Sequence, residues 1–182
     1  MSNQLNTLKI LIVEDNLAML EVLKSVFKSF GAAKITTAYS GEEAYSYFCQ
    51  HNHDIIVTDW MMEPCDGLEL IRKIRNDTKS PNQYVPILLI TGHTHKTNVI
   101  NARDNGITDI LVKPFNARDL YKRIEALIER PKQFVRTENF FGPDRRRKNE
   151  LAHQGPFRRT SDGQQTTQIP PKEIDAELVD FI

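Results

Sequence analysis

The run Ile55-Ile56-Val57-Thr58-Asp59 ends in a carboxylate, and the rest of the chain is arranged around it. Four residues that favour β-structure lead directly into the acid, and the chain then turns through residues 60–67. A run this apolar and β-branched is typical of a strand buried on both faces of a sheet. An acid at the carboxyl end of such a strand lies where open α/β sheets bind their ligands. Taken alone, Asp59 is equally compatible with a strand end or a turn cap, so the remaining chain must decide.

Strand and helix patterns alternate five times along residues 8–130. Short apolar runs indicate the strands, and apolar residues at helical spacing between them indicate the helices. Parallel strands need helical crossovers, and the right-handed sense of those crossovers restricts the topology. The sequence therefore predicts an α/β fold, a doubly wound five-stranded parallel sheet with helices on both faces. The predicted strands are Leu8–Val13, Ile35–Ala38, Ile55–Asp59, Val85–Ile90 and Asp109–Val112.

Polar residues mark where several of the predicted helices begin. Asn16 and Asn116 precede helical patterns as N-caps, and Ser40 with Glu43 three residues later fits a capping box. The fourth helix, roughly residues 96–105, is only weakly amphipathic.

Composition changes near Pro131. Residues 1–130 hold nearly all the long apolar runs, with fifteen basic and sixteen acidic side chains. Residues 131–182 are rich in Pro, Gly, Gln, Thr and charge, and cannot bury enough apolar surface to offset the entropy of ordering. We therefore expect a folded domain at residues 7–130 and a polar, largely disordered tail at residues 131–182.

Charge and composition exclude several classes of protein. The net charge is zero, which gives no global argument for binding nucleic acid or an anionic membrane. No segment approaches the ~20 apolar residues of a membrane span, and residues 1–8 lack the apolar core of a signal peptide. Cys49 and Cys65 form neither a disulfide framework nor a metal-ligand cluster. We therefore expect a soluble, reduced, cytoplasmic protein.

Several polar side chains follow the predicted strands where each strand ends. Glu14 and Asp15 follow the first strand, Asp59 ends the third, Thr91 follows the fourth and Lys113 follows the fifth. Because these strand ends lie at one edge of a parallel sheet, the side chains can meet in one crevice. Three carboxylates together repel one another and raise their pKa values, which a divalent cation relieves. An all-oxygen site suits a hard ion such as Mg²⁺.

The remaining groups in the crevice suit phosphoryl chemistry. Lys113 can pair with Asp59 or with an added anion, and Thr91 offers a hydroxyl donor to the same anion. A carboxylate beside a metal, a lysine and a hydroxyl can attack phosphorus and form an aspartyl phosphate. Seen singly, Glu14-Asp15 is compatible with a solvated helix start and Lys113-Pro114 with a surface turn. Their coincidence on one sheet edge favours a site.

With these positions filled, residues 7–130 resemble the receiver domain of two-component response regulators. The motifs that carry the resemblance are Val13-Glu14-Asp15-Asn16, Thr58-Asp59-Trp60-Met61-Met62 with Asp66-Gly67, Ile90-Thr91-Gly92, and Leu111-Val112-Lys113-Pro114-Phe115. The resemblance implies a flavodoxin-like (β/α)5 fold with strand order 2-1-3-4-5, and a cis peptide bond before Pro114. It also implies that Asp59 is the phosphoacceptor and that Thr91 and Lys113 hold the phosphoryl group. The implied Mg²⁺ ligands are Asp15, Asp59, the backbone carbonyl of Met61 and, through water, Glu14.

The chain departs from the family pattern at Ile110, three residues before the lysine, where the family often has an aromatic residue. The usual threonine–aromatic switch is therefore not carried over to this chain. We still expect the surface of the fourth helix, fifth strand and fifth helix, residues 94–125, to report phosphorylation. Trp60 and Met62 are expected to pack beside the site.

The resemblance implies a phosphorylation-controlled switch in a His–Asp phosphorelay. Such a protein accepts a phosphoryl group from a histidine kinase or a histidine phosphotransfer protein and then acts by binding another protein. It is not an enzyme with an external product, because the domain catalyses only its own phosphorylation and dephosphorylation. Receivers also commonly form homodimers through their last helices. The cognate kinase, output partner and phosphoryl lifetime are not set by the sequence.

The tail leaves several alternatives open. Residues 132–159 are net basic and residues 160–182 net acidic, and the basic part contains Phe140-Phe141-Gly142-Pro143-Asp144-Arg145-Arg146-Arg147-Lys148. A disordered linker is the ordinary interpretation, and a docking segment anchored by its phenylalanines is the functional one. The arginines also allow a regulator that binds nucleic acid through phosphates. A phosphate sink without an output surface is a further alternative, and residues 173–182 have the pattern of one short helix that needs a partner groove.

Overall fold

Five strands and five helices alternate along the first 130 residues of the protein. The structure is a computed structural model that describes residues 5–92, 96–137, 140–144 and 167–169. The elements are β1 (Lys9–Val13), α1 (Leu17–Ser29), β2 (Lys34–Ala38), α2 (Gly41–His51), β3 (Ile55–Asp59), α3 (Gly67–Asn76), β4 (Ile87–Thr91), α4 (Lys96–Asp104), β5 (Asp109–Val112) and α5 (Ala117–Glu129).

The five strands form one parallel sheet in the order β2-β1-β3-β4-β5. Every residue of β3 and of β4 is buried, as expected for central strands that helices cover on both faces. The predicted doubly wound α/β fold and the strand order implied by the resemblance are confirmed. Within the described residues, no helix is long and apolar enough to cross a bilayer.

Two hydrophobic cores lie on opposite faces of the sheet. Side chains along β1 alternate between them, because successive residues of a strand point to opposite faces. Leu11 and Val13 join the core under α2 and α3, whereas Ile10 and Ile12 join the core under α1 and α5. A fully buried aliphatic side chain contributes about 1.5–3 kcal/mol, so both cores fix the sheet between its helices.

Two of the predicted helix caps are confirmed, and the predicted capping box of α2 forms only in part. Asn16 and Asn116 cap α1 and α5 as predicted. The Ser40 hydroxyl accepts from the Glu43 backbone N–H at 3.2 Å, but the Glu43 carboxylate accepts from the backbone N–H of Tyr39 instead of Ser40. The predicted capping box is therefore only half formed. A complete, unpredicted box connects Asp66 and Glu69 at the start of α3.

The tail contributes a second, smaller sheet. Strands β6 (Phe134–Thr137) and β7 (Phe140–Pro143) run antiparallel and form the C-terminal hairpin, and β8 (Thr167–Ile169) pairs with the other side of β6. Phe134, Val135 and Phe141 are buried. In the hairpin, a few large apolar residues pack against the domain. The expectation that most of residues 131–182 is disordered stays a prediction.

Other predictions for the tail are not decided by these strands. The domain boundary at residue 130 stays a prediction. The arginine run at 145–148 and the short helix predicted at 173–182 lie outside the described residues.

Candidate functional site

The sheet brings the predicted site residues to one edge. Glu14 directly follows β1, Asp59 ends β3, Thr91 ends β4, and Lys113 directly follows β5. Backbone hydrogen bonds continue just past the strands and fix these positions. The Glu14 N–H donates to the Ala38 carbonyl at 3.1 Å, and the Lys113 N–H donates to the Thr91 carbonyl at 2.7 Å. The residues predicted from separate strand ends therefore converge as parallel strands require.

One lysine lies between two buried carboxylates at this edge. Lys113 Nζ is 2.6 Å from Asp59 Oδ1 and 3.3 Å from Glu14 Oε2. Only 7% of Asp59 and 3% of Glu14 is exposed to solvent. Charged groups this buried are tolerated when they are paired, so the three side chains form one electrostatic unit.

Burial and charge shift the pKa values of this unit. Burial raises the pKa of Glu14 above its ordinary value, and the negative charge of Asp59 raises it further, against the opposing effect of Lys113. Burial alone would lower the pKa of Lys113, but its hydrogen bond to Asp59 and the charges of Asp59 and Glu14 together raise it. Lys113 is therefore stabilised as a cation by the two neighbouring carboxylates, Asp59 and Glu14.

The second oxygen of the Asp59 carboxylate has its own donor. The backbone N–H of Met61 donates to Asp59 Oδ2 at 3.0 Å, which orients the carboxylate in the crevice. The Met61 side chain is exposed, while Trp60 and Met62 on either side are buried in the core under α2 and α3. The predicted packing of Trp60 and Met62 is confirmed.

Gly67 is required where α3 begins against the end of β3. Its N–H donates to the Trp60 carbonyl at 2.9 Å, and a Cβ at this position would lie 2.1 Å from the Asp59 carbonyl oxygen. Only glycine permits so close an approach of two backbones. The Asp66-Gly67 pair of the sequence motif therefore fixes the loop that follows Asp59.

The donor set fits a hard divalent cation. Glu14, Asp15 and Asp59 lie at one edge of the sheet and carry carboxylate oxygens, the ligands that a hard cation prefers. Asp15 is exposed, whereas Glu14 and Asp59 are buried around Lys113. Among the residues that the structure describes, no three His, Cys, Asp or Glu side chains are already placed to hold a metal ion. The Mg²⁺ ligands therefore stay a prediction, based on the kind of oxygen donor that these residues carry.

Two further expectations concern β5 and the turn after it. The Lys113–Pro114 peptide bond is cis, as the resemblance implies, and the Glu63–Pro64 bond is an unpredicted second cis bond. Ile110 is half-buried and packs against the core under α2 and α3. The position of the usual switch aromatic is therefore filled by a smaller side chain that is already partly inside.

An apolar groove of about 520 Å³ lies beside Lys113, between α1 and the start of α5. Sequence reasoning missed this groove. The signal was present in α1, where apolar residues occur outside the face that α1 buries against the sheet. Its lining residues are Met19, Val22, Leu23, Val26, Lys113, Pro114, Phe115 and Ala117.

Comparison with known proteins agrees with this geometry. Residues 10–125 match the family description "Response regulator receiver domain". The chain is 32% identical to the chemotaxis protein CheY of Pseudomonas aeruginosa over 123 residues, covering 68% of this chain and 98% of that protein. It is 30% identical to the transcriptional regulatory protein ResD of Bacillus subtilis over 186 residues, covering 99% of this chain and 72% of that protein.

Solved structures show the same fold. The receiver domain of a Francisella response regulator has a TM-score of 0.62 and 30% identity, covering 69% of this chain and all of that one. A two-component response regulator from Clostridium difficile has a TM-score of 0.61 and 31% identity, covering 68% of this chain and 98% of that one. The chain therefore belongs to the response regulator receiver family, with a further C-terminal region after the matched residues.

Proposed function

We propose that this protein is a phosphorylation-controlled switch in a two-component His–Asp phosphorelay, with Asp59 as the phosphoacceptor. The observation that carries the proposal is the 2.6 Å contact between Lys113 Nζ and Asp59 Oδ1 at the carboxyl edge of the sheet. A buried carboxylate with one oxygen on a cation and the other on the Met61 N–H is oriented for attack on an electrophile.

The transfer needs few groups. An oxygen of Asp59 forms a bond to the phosphorus of a phosphohistidine while the P–N bond breaks, and its electron pair returns to the imidazole nitrogen. Lys113 neutralises charge on the transferring oxygens, and the Thr91 hydroxyl donates a hydrogen bond to one of them. Mg²⁺, when bound, supplies the remaining neutralisation. Its proposed ligands are Asp15, Asp59, the backbone carbonyl of Met61 and, through water, Glu14.

The groove beside Lys113 supports a protein phosphodonor. It brings apolar surface next to Lys113, and Val22, which lines it, is exposed, as is Leu17 at the start of α1. A helix of a histidine kinase or phosphotransfer protein that lies on α1 buries this surface and presents its histidine to Asp59. We propose α1 and the groove as the donor-binding surface.

We place the output on the face formed by α4, β5 and α5. Thr91 precedes α4 and Lys113 follows β5, so both groups that hold the phosphoryl group are attached to this face. Ile100 of α4 is 45% exposed there, and Arg123 of α5 pairs with Asp109 of β5 at 3.0 Å. A downstream protein or a second copy of the chain binds this face in one phosphorylation state.

A small phosphodonor with Mg²⁺ tests the acceptor directly. We expect the intact mass to increase by one phosphoryl group, and Asp59→Asn to abolish that increase. Asp54→Asn is the matched control, because Asp54 lies at the other end of β3 and accepts a hydrogen bond from the Lys9 N–H. Loss of the phosphoryl group in the control, or its retention in Asp59→Asn, contradicts the assignment.

A further inference from the structure

The C-terminal hairpin packs on the end of the sheet opposite Asp59. Tyr84, which precedes β4, forms a three-ring cluster with Phe134 and Phe141 of the hairpin. Its ring centroid is 5.2 Å from that of Phe134 and 5.3 Å from that of Phe141. Edge-on contacts of this kind add to the area the rings bury. The hairpin is therefore attached to the loop that enters β4.

A buried arginine lies beneath this aromatic cluster. Arg75, at the end of α3, is only 1% exposed, and it donates to the carbonyls of Gln83, Val85 and Gly106 at 2.7, 2.8 and 3.0 Å. Its guanidinium carbon is 5.1 Å from the centroid of the Phe134 ring. The hairpin thus covers a cation that connects α3, the approach to β4 and the turn between α4 and β5.

The hairpin also touches that turn directly. A Cβ on Gly142 would lie 2.9 Å from the Cα of Gly106, so the two backbones are in close contact. Lys132, which precedes the hairpin, donates from Nζ to the Thr108 carbonyl. The Thr108 hydroxyl accepts from the Ile87 N–H at 3.0 Å, which connects the starts of β4 and β5. The hairpin holds the beginnings of the two strands whose ends carry Thr91 and Lys113.

Helix α4 connects the two ends of this arrangement. It begins at Lys96, shortly after Thr91, and ends at Asp104, two residues before Gly106. Of the α4 side chains that the structure describes, Ala102 alone is buried. An element with so little buried surface moves at low free-energy cost. Because α4 is continuous from Lys96 to Asp104, a shift of its amino end would also move the turn that contacts Gly142.

We propose that occupancy of the phosphoryl site at Asp59 and docking of the C-terminal hairpin oppose each other through α4. This inference rests on the proposed function. The docked hairpin holds α4 by its carboxyl end, whereas a phosphoryl group held by Thr91 draws its amino end towards the site. Undocking of the hairpin then reports that Asp59 is occupied. Linkage requires the effect to be equal in both directions.

Hydrogen exchange on the full chain tests one direction. Beryllofluoride with Mg²⁺ serves as a phosphoryl analogue, and the fluorescence of Trp60, the single tryptophan, monitors its binding beside Asp59. We expect the hydrogen-bonded amides of residues 134–137 and 140–143 to exchange faster by about fivefold or more with analogue bound, the range of ordinary coupling energies. Amides of β1 serve as the internal reference.

A single methyl group tests the other direction. In Gly142→Ala the new Cβ meets the Gly106 backbone and the Phe140 ring at 2.9 and 2.7 Å, which pushes the hairpin off the turn. We expect analogue Kd to fall by about fivefold or more. Phe134→Leu, which removes the ring over Arg75, is a second variant with the same expectation. Phe27→Leu in the core under α1, matched by its midpoint of unfolding, is the control and leaves Kd unchanged.

The outcomes separate the two claims. Unchanged hairpin exchange together with unchanged Kd in both hairpin variants overturns the coupling, while analogue binding at Trp60 leaves the proposed function intact. If neither the analogue nor a phosphodonor reaches the site in the wild type, the proposed function and the coupling both fail.

Discussion

Lys113 Nζ lies 2.6 Å from Asp59 Oδ1, and the same atom lies 3.3 Å from Glu14 Oε2, so one cation separates two buried carboxylates. Without it, the two acids face each other in a site where only small fractions of their surfaces reach water. A buried charge that loses its partner costs more than an exposed one, because water cannot replace the lost contact.

Lys113→Met is therefore expected to lower the free energy of unfolding by about 1–3 kcal/mol at neutral pH, since it leaves two carboxylates unpaired. Arg123→Met is the matched control, because Arg123 also pairs with an aspartate at 3.0 Å but is half exposed, which limits its effect to about 1 kcal/mol or less. Mg²⁺ restores more stability in Lys113→Met than in the control. Urea unfolding with and without Mg²⁺ measures both effects, and equal losses in the two variants contradict the prediction.

The raised pKa of Glu14 predicts a pH dependence of stability with a definite sign. As pH falls from the raised folded-state pKa towards 4.5, the folded protein takes up a proton that the unfolded chain does not. Glu14 therefore adds stability on acidification through that window. The free energy of unfolding of wild type minus that of Glu14→Gln rises as pH is lowered through that window. Asp59→Asn removes one cause of the shift, so the same comparison made in its background shows a smaller rise.

The predicted parts of the site follow from the arrangement of the strands, whereas the unpredicted parts depend on the conformation of a loop and the orientation of a helix. Asp59, Glu14 and Lys113 were predictable because each ends a strand, and parallel topology alone brings strand ends together. The hydrogen bond of the Met61 N–H to Asp59 and the groove beside α1 depend on local loop geometry and helix rotation, which periodicity does not specify.

The contact of Arg75 with the hairpin was unpredictable for a different reason. In the sequence, Arg75 is one of several charged residues of an amphipathic helix, and such residues are usually solvated. Its partners are the backbone carbonyls of Gln83, Val85 and Gly106. Because every residue has a backbone carbonyl, the sequence does not indicate which of them a side chain will bind. The composition of the tail likewise did not indicate that Phe134 is buried, because a composition averaged over 52 mostly polar positions is little affected by a few aromatic residues.

Arg75→Met is expected to destabilise the protein by about 3 kcal/mol or more, because it removes the donor from two buried carbonyls and from the half-buried carbonyl of Gln83. Arg75→Lys restores little, since one ammonium group lacks the planar set of donors that reaches all three. Arg72→Met on the same helix is the control, because exposed Arg72 makes a single bond, from Nε to the Leu68 carbonyl at 3.3 Å. Urea unfolding of the three variants gives the comparison. A full recovery in Arg75→Lys would show that charge alone, and not the bonding geometry, is what the position needs.

His53 predicts a pH dependence opposite to that of Glu14. It is 2% exposed, its Nε2 is 2.9 Å from the Thr36 hydroxyl, and within the described chain its Nδ1 has no hydrogen-bond partner. Burial, followed by the charges of His51 and Lys9, lowers the pKa of His53 to about 4. In the unfolded chain His53 binds a proton near pH 6.5, whereas in the folded protein it does so only near pH 4. The free energy of unfolding therefore falls between pH 6.5 and about 4, by roughly 3 kcal/mol in total.

The two opposing slopes partly cancel in the wild type and are separated by variants. The free energy of unfolding of wild type minus that of His53→Gln falls as pH drops from 7 to 4, whereas the corresponding difference for Glu14→Gln rises. His53 precedes β3 and Glu14 follows β1, so they lie at opposite ends of the sheet and their effects add in the double variant. A His53→Gln difference that stays level below pH 6.5 would mean that the ring is protonated in the folded state and that its burial costs less than the geometry implies.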